Sequence, residues 1–333
     1  MKNYEIKLEN MPDIKGLRFR GFMGETDYPH MVEIVEAHAK SDNDDFAVTL
    51  DSLKHDYAHL TNSKPEEDMI FAEIDGKAIA YSRVQWWQEE DPNDRIYMHF
   101  IKIMPEWRYQ GIEEVMIKWC EDRLRAIAEG HPQDSKRLFQ TDSNEFKPDF
   151  NKLLESCGYQ ATRFFIEMSR PLDIIPEAKL PDGIKARPVG EDDIIKVWDA
   201  SNEAFRDHWG YSEPTEKDFE GYKGSKYFQP DLWQVAWDGK DVVGSVQNYI
   251  DEDYNTKFDR LRGWTENIST KREYRHRGIA KALIVRSMQM HKAKGMTEVG
   301  LGVDTNNTSN ALNLYQSLGY KKDKMQIVYR KPM

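Results

Sequence analysis

The sequence predicts an α/β protein of the α+β, mixed-sheet kind, built as two copies of one domain in tandem. Three observations carry this prediction. First, short motifs recur in the same order at separations between 161 and 167 residues. Arg18-Phe19-Arg20 returns as Lys185-Ala186-Arg187, and Asp75-Gly76-Lys77 returns as Asp238-Gly239-Lys240. Arg108-Tyr109-Gln110-Gly111-Ile112 returns as Arg275-His276-Arg277-Gly278-Ile279. Leu153-Leu154-Glu155-Ser156-Cys157-Gly158-Tyr159 returns as Leu314-Tyr315-Gln316-Ser317-Leu318-Gly319-Tyr320. One match is chance; four in one order at nearly one spacing mark a duplication. Second, β-rich and helical runs alternate, with an Asp-Gly hairpin signal in each copy, as in a mixed sheet covered by helices. Third, each copy has a Gly turn leading from a strand into a long helix.

The elements follow in order. Each copy opens on a short strand and continues into helical segments near 28–60 and 191–222. Two strands joined by the Asp-Gly turn come next, at 69–74 with 78–85 and at 232–237 with 242–249. A fourth strand (95–103; 262–270) leads to the Gly turn and the long helix. In the second copy that helix carries Ile279, Ala282, Leu283, Val285 and Met288. A fifth strand (137–141; 298–303), another helix and a last strand or strand pair complete each copy. The stretch 171–183, PLDIIPEAKLPDG, has three prolines and ends in Asp-Gly, so it reads as a linker. The expected domains are 1–172 and 183–333, with a linker at 173–182.

Length and composition narrow the function. A chain of 333 residues suits two domains, and 39% hydrophobic with 12% aromatic residues excludes a disordered chain. No apolar run reaches the ~18 residues of a membrane span. MKNYEIKLEN has no apolar signal core, so a cytoplasmic protein is expected, with no membrane partner. Cys120 and Cys157 have no metal-ligand spacing; they read as reduced structural thiols, and no metal is expected. The net charge of −11 disfavours a nucleic-acid partner and is compatible with a cationic acceptor such as an amine.

The chemistry concentrates at Tyr274-Arg275-His276-Arg277-Gly278-Ile279-Ala280. An Arg-x-x-Gly-x-Ala turn at a helix start is a phosphate cradle. Gly278 lets backbone approach an anion, Ala280 leaves the first turn open, and unpaired N–H groups there favour negative charge. Arg275, Arg277 and Lys281 add positive charge. Alone, such a turn reads equally well as an exposed basic loop. About thirty residues later comes Ala311-Leu312-Asn313-Leu314-Tyr315-Gln316-Ser317-Leu318-Gly319-Tyr320.

Together these resemble the acetyl-CoA-binding loop and final helix of the GNAT superfamily of N-acetyltransferases. In that family the loop reads Gln/Arg-x-x-Gly-x-Gly/Ala and the helix ends in Leu-Tyr-x-x-x-Gly-Phe/Tyr. The element order of both copies agrees, so the resemblance covers nearly the whole chain and implies two tandem GNAT-like acyl-CoA N-acyltransferase domains. The segment Phe205-Arg206-Asp207-His208-Trp209-Gly210-Tyr211 loosely resembles the two-domain members related to mycothiol synthase.

The resemblance implies acetyl-CoA as co-substrate. Its pyrophosphate would lie at Arg275, His276, Arg277, Gly278, Ile279, Ala280 and Lys281. Its pantetheine arm would meet the backbone of Ile268 and Thr270 and an asparagine before the last helix. The family spacing falls on Thr308, so Asn307 and then Asn310 are the candidates; helix capping is their alternative role. Tyr315 takes the general-acid position, with a packed core Tyr as the alternative. By the period of two, Trp264, Glu266, Ile268 and Thr270 share a face unless a bulge intervenes, which makes Glu266 the candidate base. His208, Trp209 and Tyr211 lie where the family lines its acceptor site.

The copies are unequal. Glu113 stands where the second copy has Ala280, and Leu154 stands four residues before Gly158, where the second copy has Tyr315. The first copy is therefore expected to be degenerate and the second catalytic. The implied reaction is acetyl transfer to a small-molecule primary amine by direct attack. A non-catalytic acyl-CoA-binding regulator and a protein or peptide amine acetyltransferase are the alternatives. Monomer and homodimer both remain open.

Overall fold

A computed structural model describes residues 5–42, 44–307 and 310–333. The chain forms two compact units, one running to Thr162 and including Ile327–Met333, the other spanning Arg163–Gln326.

The first unit contains β1 (Glu5–Ile6), β2 (Leu17–Arg20), α1 (Tyr28–Ser41), α2 (Leu50–Ala58), α3 (Pro65–Asp68), β3 (Met69–Ile74), β4 (Lys77–Gln88), β5 (Arg95–Ile103), α4 (Ile112–Glu129), β6 (Arg137–Asn144) and α5 (Pro148–Ser156). Its sheet runs β1-β2-β3-β4-β5-β6, parallel only between β5 and β6. The tail joins this unit, where the Met333 N–H donates to the Arg137 carbonyl at 3.0 Å.

The next strand, β7 (Gln160–Pro171), lies mostly in the second unit. That unit continues with β8 (Lys185–Ala186), α6 (Ile194–Phe205), α7 (Glu216–Gly224), β9 (Gln234–Asp238), β10 (Asp241–Ile250), α8 (Glu252–Phe258), β11 (Arg262–Thr270), α9 (Ile279–Ala293), β12 (Glu298–Asp304), α10 (Ala311–Ser317) and the first half of β13 (Lys321–Pro332), whose residues from Ile327 on belong to the first unit. Its sheet runs β7-β12-β11-β10-β9-β8, again with one parallel pair, β11 with β12. The expected mixed sheet covered by helices is present in both units.

The units divide at 162/163 and not at the linker expected near 173–182. The reason is strand pairing. β7 runs antiparallel to β12 from Glu298↔Pro171 to Asp304↔Phe165, so the end of the first sequence repeat is built into the second unit. Residues 173–182 form no helix or strand, yet they are not a free tether. Leu172 is buried, and Ile175, Ala178 and Leu180 pack on the second unit's core. Prolines set the extended path, and the apolar residues between them hold it down.

Local chemistry accounts for the other departures. β9 starts at Gln234 because Pro230–Leu232 forms a 3₁₀ turn. The helix α8 has no counterpart in the sequence reading. Asp251 caps it, accepting the Tyr254 N–H at 3.1 Å. α7 opens on a capping box in which Thr215 and Asp218 each bond the other's backbone N–H. The helix α9 lays Leu283, Ile284, Val285 and Met288 on Val243, Val246, Val299 and Leu301 of the sheet, all buried. Each such side chain contributes about 1.5–3 kcal/mol through removal from water. Both cysteines are free; Cys120 is buried with its Sγ 2.9 Å from Ser82 Oγ. Among the described residues no helix is long and apolar enough to cross a membrane.

Candidate active site

The site begins where two strands part. β11 and β12 pair in parallel only at Arg262↔Glu298, Gly263↔Val299 and Trp264↔Gly300. Both strands continue beyond this point, β11 to Thr270 and β12 to Asp304, without further pairing. The gap holds a cavity of about 740 Å³. Its walls include Thr265–Thr270 on one side, Gly302–Asp304 on the other, the Gly278 turn at one end, and Tyr315 of α10.

The Gly278 turn has an unusual backbone. His276 has φ of 60° and Gly278 has φ of 84°, with Gly278 as the N-cap of α9. A Cβ on Gly278 would meet nothing within 4 Å, so the glycine serves the left-handed conformation and not a tight fit. The first copy builds the same turn, with Tyr109 at 58° and Gly111 at 89°. There the Glu113 carboxylate folds back and accepts the Tyr109 N–H at 2.9 and 3.1 Å. A Cβ on Gly111 would also meet the Pro12 ring at 3.3 Å. An anion would have to displace the carboxylate. In the second copy the corresponding residue is Ala280, whose methyl group bonds nothing.

Arg275 has a second occupation. Its Nη1 bonds Asp207 Oδ2 at 2.7 Å, its Nη2 bonds the Ala204 carbonyl at 3.0 Å, and its Nε bonds the Thr270 carbonyl at 3.3 Å. It thus ties the end of α6 to the end of β11 while lining the cavity. Arg108 repeats this in the first copy, on Asp42 at 2.5 Å and on the His38 carbonyl at 3.2 Å. The repeated arginine is accounted for by this tie even where the turn is blocked. Hydrogen bonds from Arg272 and Arg275 hold the Asp207 carboxyl below its ordinary range. Arg277 stacks on Tyr274, 5.1 Å from the ring centre, outside the cavity wall; His276, Ile279, Ala280 and Lys281 line it.

Glu266 lies in the parted stretch, and burial together with the nearby Glu167 pushes its carboxyl up to about 8, against a hydrogen bond from the Gly302 backbone. Among the described residues no cation pairs with it. A bulge follows it. Ser245 opposes Ser269 and Gln247 opposes Glu266, so β11 has one residue more than β10, with Asn267 at φ of 47°. Glu266 therefore shares a face with Trp264 and Ser269, and Thr270 turns to the other face. This corrects the simple alternation of the sequence reading. Ile268 and Thr270 still line the cavity, and the Thr270 hydroxyl is buried without a hydrogen-bond partner.

Tyr315 is a buried residue whose ring sits 6.0 Å from that of Tyr320. Burial raises its phenol above the ordinary value, so it holds its proton. Asn307 and Asn310 both line the cavity, while Thr308 lies outside the described residues. Asn310 is the N-cap of α10 with φ of 59°, but its side chain makes no capping bond; its Oδ1 accepts from Asn313 at 2.5 Å.

Of the three acceptor-side residues, only His208 reaches the cavity. Burial lowers its tendency to protonate. Trp209 instead lies under the Arg163 guanidinium at 5.4 Å and beside Phe165 at 6.3 Å. The Tyr211 hydroxyl donates to Glu213 at 3.1 Å. The sequence reading missed Phe165, which lines the cavity from β7, and Glu167 on the same strand. No local signal marks them, because their segment belongs by repeat to the first copy.

The chain is similar in sequence and in fold to known acetyltransferases. Residues 194–320 match the acetyltransferase (GNAT) family. Mycothiol acetyltransferase of Kocuria rhizophila is 24% identical over 238 residues, covering 69% of this chain and 74% of that protein. That of Pseudarthrobacter chlorophenolicus is 25% identical, covering 84% and 82%. A solved GCN5-related N-acetyltransferase from Sphaerobacter thermophilus superposes with a TM-score of 0.75 at 22% identity, over 97% of both chains. A tandem GNAT protein from the clavulanic acid biosynthesis pathway gives 0.65 at 9% identity, over 95% and 98%.

Proposed function

We propose that this chain, an acyltransferase of the tandem GNAT kind, moves the acetyl group of acetyl-CoA to the primary amine of a small molecule, with the second copy carrying the reaction. The observation that supports this most is the parted β11–β12 cleft. One end is the open Gly278 turn, and its walls bring together Glu266 and Tyr315.

In this reading the turn's free N–H groups and Lys281 take the pyrophosphate. The pantetheine arm runs along the unpaired edge of β11 at Ile268 and Thr270, past Asn307 and Asn310. Glu266 takes a proton from the incoming ammonium, directly or through water, and the neutral amine attacks the thioester carbonyl. The tetrahedral intermediate then collapses: the carbon–sulfur bond breaks, Tyr315 gives its proton or a hydrogen bond to the departing thiolate, and the nitrogen releases its extra proton to the tyrosinate or to water. Holding both reactants in one cleft supplies much of the rate. His208 is the residue of the acceptor segment best placed to touch the acceptor. The first copy has Glu113 in its turn and Leu154 at the acid position, which supports a structural role for it.

Calorimetric titration with acetyl-CoA tests this, using Gly278→Glu and Gly111→Glu variants. One site, lost only in Gly278→Glu, is expected. Two sites would show that the first copy binds as well, and no binding would refute the reading. A bound but inert protein across an amine panel would favour a regulatory role instead.

A further inference from the structure

We infer that Glu167, contributed by β7, is a positioning residue for the candidate base Glu266, its fixed negative charge across Gly302 deciding when that carboxyl can take a proton. The inference rests on the proposed role of Glu266.

The register places the two carboxyls together. Gly302 of β12 is the cross-strand partner of Glu167, and its backbone N–H bonds the Glu266 carboxyl. Arg262 reaches both Glu167 at 3.2 Å and Glu298 at 2.8 Å, which fixes the face on which Arg262, Trp264 and Glu266 lie. On that face β12 presents Glu298, Gly300 and Gly302 in turn. A Cβ on Gly300 would strike the Trp264 ring at 2.9 Å, so that gap is already filled. A Cβ on Gly302 would meet nothing within 4 Å. The missing side chain at 302 leaves a window through which Glu167 and Glu266 face each other.

Four phenols feel the Glu266 charge, Tyr222 of α7, Tyr249 of β10, Tyr315 of α10, and Tyr320, while His208 and Asp304 line the same cavity. Burial raises all four phenols, so they are neutral at any working pH. Glu167 forms ion pairs with Arg262 at 3.2 Å and with Lys324, whose Nζ lies 3.3 Å away. Among the described residues it is the formal charge that bears on Glu266. A negative neighbour raises the proton affinity of a carboxyl. Glu266 is thereby a stronger base for an ammonium than an isolated glutamate. The tandem arrangement supplies that neighbour, since β7 ends the first sequence repeat and is built into the second unit.

The test is a carbon-13 NMR titration of side-chain carboxyls in the full chain, with the Glu266 signal assigned by its loss in Glu266→Gln. Glu266 should titrate at least one pH unit above ordinary glutamates in the native protein. In Glu167→Gln its midpoint should fall by about one unit, and in Lys324→Gln it should rise. A purely structural role for Glu167 would not produce opposite signs. An ordinary midpoint in the native protein, or one unmoved in Glu167→Gln, would overturn the inference. If Glu167→Gln does not fold by circular dichroism, the sign in Lys324→Gln decides alone. The reading of Glu266 as base fails separately, if Glu266→Gln turns over a substrate amine as fast as the native protein does.

Discussion

At the scale of single residues, chemistry and stability pull against each other. The Glu266 carboxyl sits near 8 against an ordinary 4.5, so the native state binds its proton more tightly than the unfolded chain. The sign follows from linkage. Its ionisation costs the fold nothing below the ordinary value, and the cost accumulates as pH rises from there to about 8. Glu266→Gln is therefore expected to match the native protein in thermal melts at pH 4 and to melt higher at pH 9. With Glu266 as the proposed base, kcat/KM should rise with pH towards a midpoint near 8, and Glu266→Gln should abolish that limb. For Tyr315→Phe we expect kcat to fall by about two to four powers of ten, as for loss of a general acid. Its acetyl-CoA affinity, measured by calorimetry, should be unchanged, because in the proposed reaction the phenol acts on the sulfur and not on the pyrophosphate. The sequence pointed to Glu266 through strand period, and to Tyr315 through the resemblance of the last helix to the family pattern.

At the scale of elements, the Gly turns show how one backbone serves two ends. Both copies have the same pair of left-handed residues, His276 with Gly278 and Tyr109 with Gly111. What separates them is one side chain, Glu113, lying on the Tyr109 N–H. Burial raises the Glu113 carboxyl, with the Tyr109 hydrogen bond opposing it. Glu113→Ala should lower stability by about 0.5–1.5 kcal/mol in urea unfolding, since it removes the part-buried hydrogen bond from the Tyr109 N–H. Leu283→Ala on α9, at the centre of the second core, should cost about 2–5 kcal/mol through the cavity it leaves. Most of these elements were legible beforehand. Both fourth strands begin and end where the pattern places them, because alternating burial imposes a period of two. The bulge at Asn267 was not legible: β-bulges depend on how two strands meet, and nothing in residues 262–270 alone announces one. Nor was α8, too short to show a helical period.

At the scale of the whole molecule, the duplication is not a simple pair of beads. The first unit includes Ile327–Met333, and the second includes all of β7 from Arg163 onward. Fragments cut at the linker, 1–172 and 183–333, each lack a strand or strand segment that belongs to their unit. Expressed separately, they should show weak cooperativity in thermal unfolding by circular dichroism, whereas the full chain should unfold sharply. Sharp melting of both fragments would refute this division.

The sequence by itself determined the duplication, the mixed sheet, the two Gly turns and the inequality between them. These rest on local rules: side-chain period, the left-handed freedom of glycine, and the charge of one carboxylate at a helix start. Only the tertiary structure decided which strands complete which unit, how far β11 and β12 part, and that Trp209 and Tyr211 turn away from the cavity while Phe165 enters it. Those outcomes depend on pairing between segments far apart in the chain. A β-strand's own residues fix which side faces in, but not which neighbour it will find.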